Sequence, residues 1–180
     1  MEKAIEVLRN GGIILYPTDT TWALGCDATN LEACQRLVQL TENSEGMILL
    51  ADGFPMVQKY IPDFPEVCYD LVDFATRPLS LIYPKAKDLA ANVLGSDASV
   101  GIRITADTNC LKLIRSIRKP IVATGIPSGQ GWLCRKFADI PEDIIEQVDA
   151  LVELRQNEKM KPLSQIIKIG IGGEVKVMRK

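Results

Sequence analysis

The stretch richest in reactive groups in this 180-residue chain is Tyr16-Pro17-Thr18-Asp19-Thr20-Thr21. Four hydroxyls and a carboxylate fall within six positions. Two chemistries suit that pattern. Asp19 and the threonines can bond to nearby backbone and simply shape a turn. Alternatively, Thr18, Thr20 and Thr21 line a polar pocket in which hydroxyls and amides orient a small substrate. Composition limits what else can happen there. The sequence contains no histidine, so Ser-His-Asp triads, imidazole bases and His-ligated zinc are excluded. Carboxylates, Lys, Arg, hydroxyls, backbone amides and carboxylate-bound magnesium remain.

Other candidates lie further along. Arg103, in Val100-Gly101-Ile102-Arg103, either caps a strand end or faces a phosphate. Lys112, Arg115 and Lys119 are spaced by three and four, which predicts one basic side of a helix, either solvated or set against RNA phosphates. Thr124 opens the loop Gly125-Ile126-Pro127-Ser128-Gly129-Gln130-Gly131. Its three glycines can cradle an anion through backbone amides, although the spacing matches neither a Walker nor a Rossmann loop. Trp132, Arg135 and Lys136 follow, an aromatic and two cations suited either to base stacking or to plain packing.

These groups need elements to hold them. The order of signals is a helix over Lys3–Arg9 stopped by Asn10-Gly11-Gly12, a buried strand over Gly12–Tyr16, and a helix from Leu31 to about Leu40 capped by Thr29 or Asn30. Met47–Ala51, Leu79–Tyr83, Val100–Ile104 and Pro120–Thr124 read as strands. Helical segments fall within Ile61–Ala75, behind two prolines, and at Asn109–Arg118 and Glu142–Gln147. A strand at Ala150–Leu154 follows, and Ile166–Ile169 and Val175–Met178 flank a glycine turn as a hairpin. Interleaved strands and helices with a hairpin tail predict an α/β (α+β) fold: one mixed sheet flanked by helices. Residues 1–180 are expected to form a single domain. With 47% apolar and 24% charged residues the chain can bury a sizeable core. A net charge of −2 argues against general nucleic-acid binding but leaves room for a local basic patch. No run approaches a membrane span and the amino end lacks a signal-peptide core, so a cytoplasmic protein is expected. Five scattered cysteines without a C-x-x-C pair read as reduced, mostly core residues.

Read whole, GGIILYPTDTTWALGCDAT resembles the signature of the YrdC/YciO family, the threonylcarbamoyl-AMP synthases. Further landmarks recur in order: PLSLIYPKAKDLA, SVGIRI, KPIVAT and a tail similar to SIIKLGxGGEVKIIR. The resemblance implies a twisted mixed sheet with a concave, positive groove, first read in the family as a double-stranded RNA site. It also implies a reaction in which threonine and bicarbonate form a carbamate that attacks the α-phosphate of ATP. The products are threonylcarbamoyl-AMP and pyrophosphate, and a tRNA-modification partner protein moves the group to adenosine beside the anticodon. On that resemblance Thr18, Thr20 and Thr21 hold threonine or carbamate, while Arg103, Thr124, Ser128 and Ser164 lie at nucleotide phosphates. Magnesium and ATP are expected as transient ligands, with no cofactor bound permanently.

Two family stretches are altered. Where the resemblance calls for K-x-R and a further lysine after the first helix, this chain has Thr41-Glu42-Asn43 and then Glu45-Gly46. Where T-S-A-N is expected, it has Thr124-Gly125-Ile126-Pro127. Nucleotidyl transfer depends on cationic clamps. Three lost charge-assisted contacts remove about 5–9 kcal/mol of binding and transition-state stabilisation. The expectation is a diverged RNA- or nucleotide-binding paralogue with weakened catalysis; an active synthase is the alternative.

Overall fold

The structure, a computed structural model, describes residues 1–41, 47–128 and 133–180. Chain order begins with helix α1 (Glu2–Arg9), whose buried Ala4 and Leu8 face the core. It ends where Gly11 takes φ 76°, a left-handed conformation that glycine adopts without penalty. Strands β1 (Ile14–Pro17) and β2 (Trp22–Gly25) then form an antiparallel hairpin, buried throughout, with Pro17 opposite Trp22. Helix α2 (Leu31–Thr41) is capped by Asn30, whose Oδ1 accepts from Ala33 N at 3.0 Å. Then come β3 (Ile48–Ala51), α3 (Phe54–Tyr60), α4 (Val67–Asp73), β4 (Leu79–Tyr83) and β5 (Val100–Ile104). Helix α5 (Thr108–Ile117) is capped by Asp107, which accepts from Asn109 N and Cys110 N. The short strands β6 (Ile121–Val122) and β7 (Thr124–Gly125), helix α6 (Glu142–Gln147) and strand β8 (Ala150–Leu151) lead to a final hairpin, β9 (Gln165–Ile169) and β10 (Val175–Arg179).

The strands form two mixed sheets, not the single one expected. One has the order β7-β2-β1-β8, the other β10-β9-β4-β5-β3-β6. The segment read as one strand over Pro120–Thr124 is the reason. Val122 pairs with Leu49 of β3, whereas Thr124 pairs with Leu24 of β2. Between them the chain bends at Ala123, whose N–H donates to Ile48 O at 2.8 Å, and so crosses from one sheet to the other. Glycine at Gly25 makes that crossing possible: a Cβ there would strike Val122 O and the Tyr16 ring. Strand β2 escapes the sequence reading because its polar neighbours mask a four-residue apolar run. Helix α3 escapes it too, since seven residues before the prolines present little periodicity. Lys119 lies beyond the end of α5: Arg118 is the left-handed C-cap, so Lys119 does not share a helix face with Lys112 and Arg115.

The core is continuous. Leu15, Leu24, Leu37, Leu49, Leu50 and Ile114 are fully enclosed, and a Leu→Ala change in such packing costs about 2–5 kcal/mol. All five cysteines are buried and free. Burial pushes the Cys68 and Cys134 thiols up to about 11, so both stay protonated and behave as small apolar side chains. No helix among the described residues is long and apolar enough to cross a membrane.

Candidate functional site

Strand β1 exits through Pro17 into the four residues that reverse the chain. Thr18 closes this turn on itself. Its N–H donates to Thr21 O at 3.0 Å, its hydroxyl donates to the same oxygen at 2.8 Å, and that hydroxyl accepts from Thr20 N and Thr21 N at 3.1 and 3.2 Å. With its hydroxyl so committed, Thr18 is structural and does not line the pocket. Tyr16 is likewise absorbed: its buried phenol donates to Val122 O at 2.8 Å and ties the two sheets together. Burial holds that phenol well above its usual range.

Thr20 and Thr21 are the members of the cluster that face a cavity of about 120 Å³. Arg103, from the middle of the six-stranded sheet, forms its wall. The Arg103 guanidinium donates from Nη2 to Asp19 Oδ1 at 2.9 Å and to Thr20 Oγ1 at 3.3 Å, joining β5 to the β1–β2 turn. Its side chain is 5% exposed, and its Nε–H has no partner among the described residues. A buried, unmet charged donor is costly unless a ligand completes it.

A further part of the wall comes from the carboxyl-terminal hairpin. The ladder between β9 and β10 slips between Val177 and Arg179, an irregularity that turns Arg179 inward. Arg179 Nε donates to Ser164 O at 2.8 Å and Nη2 to Ser164 Oγ at 3.3 Å. The Ser164 hydroxyl also pairs with Ser80 of β4 at 2.9 Å, all within the protein interior. Burial, and then the positive charge of Arg103, hold the Arg179 guanidinium below the ordinary arginine range. Two guanidiniums thus repel each other across a small cavity, with Asp19 offsetting one of them. A carboxylate or phosphate seated between them would relieve that repulsion.

The sequence reading names Arg103, Ser164, Thr20 and Thr21, and the fold brings these four to one cavity. It misses Arg179 and Ser80; the only signal was the tail's closing arginine and the serine of PLSLIYP. Thr124 is buried with its hydroxyl unpartnered among the described residues, yet its neighbours Ala123 and Gly125 line the cavity and it does not. Ser128 is half-buried beyond the Pro127–Leu133 bridge and does not reach the cavity wall. Glu42, Asn43, Glu45 and Gly46, and Gly129, Gln130, Gly131 and Trp132, lie outside the described residues.

On the basic side of α5, Arg115 pairs loosely with Asp52 at 3.8 Å, and Lys119 donates to Asp27 Oδ2 at 2.6 Å. Lys112 keeps an unpaired ammonium among the described residues. The coil from 152 to 163, which contributes Leu163 to the cavity wall, is pinned by Arg155, which donates from Nη1 to Asp107 Oδ2 at 2.9 Å and to Thr18 O at 3.2 Å. Among the described residues, no three of the Cys, Asp and Glu side chains converge to hold a metal ion.

This geometry can grip a small anion. Among the described residues it presents no activated nucleophile, because Asp19 is committed to Arg103. Comparison with known proteins agrees with the topology. The chain is 29% identical over 178 residues to the threonylcarbamoyl-AMP synthase of Pseudoalteromonas translucida, covering 96% of this chain and 94% of that protein. The fold superposes on E. coli YciO with a TM-score of 0.82 and 21% identity, over 99% of this chain and 87% of the other. It also matches P. abyssi Sua5 in complex with L-threonine (TM-score 0.77, 21% identity), covering 92% of this chain but only 49% of that longer one. The model of the Sua5/YciO/YrdC family, described as telomere recombination, matches residues 6–180, and the chain belongs to this family.

Proposed function

We propose that this protein is a YrdC-like ligand-binding member of the threonylcarbamoyl-AMP synthase family. In this reading it holds the anionic group of an amino acid or nucleotide between Arg103 and Arg179, and nucleotide activation is weakened or lost. The observation that carries the reading is the buried, unsatisfied Nε–H of Arg103, a residue that lines a small cavity together with a second guanidinium, that of Arg179. The P. abyssi relative was solved with L-threonine, which makes a free amino-acid carboxylate the first ligand to try. Loss of activation is supported by the sequence itself, where Thr41-Glu42-Asn43 and Gly125-Ile126-Pro127 replace the cationic and hydroxyl positions that transfer from ATP requires. Threonylcarbamoyl chemistry on tRNA suits a cytoplasmic protein, and Lys112 is the α5 cation left unpaired, among the described residues, to meet an RNA phosphate.

Calorimetric titration with L-threonine, AMP and ATP tests the proposal. Arg179→Ala should weaken the bound ligand by about tenfold or more while leaving the melting temperature near that of the wild type. Unchanged affinity in that variant would remove the cavity from the mechanism. A second reading, an active synthase, is favoured by end-to-end similarity to a named synthase. It predicts pyrophosphate release from ATP that depends on threonine and bicarbonate, with magnesium carried by the nucleotide. Release at background level is the outcome expected from the altered loops.

A further inference from the structure

The six-stranded sheet has two faces, and the small cavity lies on the face of Arg103 and Ile166. On the other face, cross-strand neighbours form apolar rows that run outward from the core. One row is Leu81, Ile167 and Val177, and beside it Ile169 leads to Val175. Leu81 and Ile169 are 1% exposed, whereas Val177 and Val175 are 54% and 46% exposed. The core side of the sheet therefore continues onto β10, but the layer that covers it does not. Ile171, in the turn before β10, is 70% exposed, and Phe74, at the end of α4, is 82% exposed. Single apolar residues on a surface need no cover; rows that leave a buried core at one edge mark an interaction surface.

The helix at this edge is acidic. A cleft of about 510 Å³ lies between the start of α4 and the hairpin tip, walled by Phe64, Val67 and Ile171 and lined also by Asp63 and Glu66. Glu66, Asp70 and Asp73 are spaced by four and three, so they share one exposed side of α4. Among the described residues none of these three belongs to an ion pair, and Asp63 meets Lys85 only at 3.9 Å.

Three occupants would complete such an edge, and the residues discriminate among them. A strand added to β10 is resisted by the exposed Lys176 and by the slip of the ladder between Val177 and Arg179. A second copy joined about a two-fold axis would set the α4 acids of one chain against those of the other. A helix laid over the rows beside α4 covers the valines, and if basic it also meets the acids. We propose that the open end of this sheet face docks a basic amphipathic helix of a partner protein. The apolar stripe of that helix, at i, i+3 or i+4 and i+7, seats on Ile171, Val175 and Val177. Lysines or arginines beside the stripe face Glu66, Asp70 and Asp73. Apolar burial supplies affinity, and the acids select the sign of the partner and speed its encounter.

The test uses the full chain and a labelled synthetic peptide of about 18 residues, long enough to form a helix, with a leucine stripe and lysines elsewhere. A second peptide replaces every lysine with glutamate, and a third alternates leucine and lysine as an extended strand. Fluorescence anisotropy should show saturable binding of the lysine helix that weakens with salt, with the glutamate helix at least about tenfold weaker. Val175→Ser with Val177→Ser should reduce affinity for the lysine helix by about tenfold or more, as should Glu66→Gln with Asp70→Asn and Asp73→Asn. Folding of each variant is checked by thermal melting. Glu142→Gln with Asp143→Asn, an acidic pair on α6, should keep wild-type affinity. Equal loss in that α6 variant, or wild-type affinity in the folded valine variant, overturns the docking surface. Tighter binding of the alternating peptide overturns the helix in favour of an added strand. Sedimentation that shows dimers of the chain alone, abolished in the valine variant, overturns it in favour of a second copy.

Discussion

Two groups of cations on this protein look alike in the sequence and behave differently in the fold. On and after α5, Arg115 and Lys119 lie against Asp52 and Asp27, and the expected basic face is largely neutralised. Around a cavity of about 620 Å³ beside the carboxyl-terminal hairpin, Arg77, Lys136, Lys159 and Lys180 meet no described carboxylate. The difference shows that spacing of positive residues along a helix says little about their availability for a ligand. Availability depends on which acids the tertiary structure sets opposite them, and both Asp52 and Asp27 come from segments far from α5 in the chain.

Stability measurements can sharpen or break this contrast. The largest effect is expected at Arg103, the buried and paired extreme. Arg103→Ala leaves Asp19 without its cation and should cost about 3–5 kcal/mol in urea unfolding; a loss under about 1 kcal/mol would show that the Asp19 pair contributes little. Lys119→Ala stands between the extremes. Its side chain is 46% exposed, and Asp27 keeps its bonds from Thr29 N and Oγ1, so a cost below about 1 kcal/mol is expected. Replacing Arg77, Lys136 and Lys159 together with Ala should lose no stability, and relief of repulsion can raise the urea midpoint slightly.

The smallest effect is a pH dependence at Asp149. The Arg36 guanidinium, helped by Ile13 N–H, holds this carboxylate below its ordinary range. A folded pKa below the unfolded one stabilises the protein above the unfolded value, and the contribution is lost as pH falls through the folded one. The stability gap between wild type and Asp149→Asn should therefore be present at neutral pH and close below about pH 4. With both side chains over a third exposed, the gap should stay within about 1 kcal/mol. A gap that widens on acidification would reverse the assignment.

Much of the fold is legible in the residues themselves. Leu79–Tyr83, Val100–Ile104 and Glu142–Gln147 begin and end where the sequence predicts, because apolar runs, β-branched residues and flanking turn formers agree locally. The site is legible in part. Thr20, Thr21, Arg103 and Ser164 could be singled out from motif and residue type, but Thr18 could not be separated from its neighbours. Whether a hydroxyl faces its own turn or a cavity depends on one backbone reversal that composition does not encode.

What the sequence determined alone is chemical: no imidazole to serve as base, too few apolar residues in any run for a membrane helix, and substitutions where a cationic clamp was expected. What only the tertiary structure decided is encounter. Arg179 meets Arg103, far back along the chain, because β9 docks beside β4 and the bulge before Arg179 turns its side chain inward. Long-range electrostatic partners are set by sheet order and register, and no local pattern of residues carries that information.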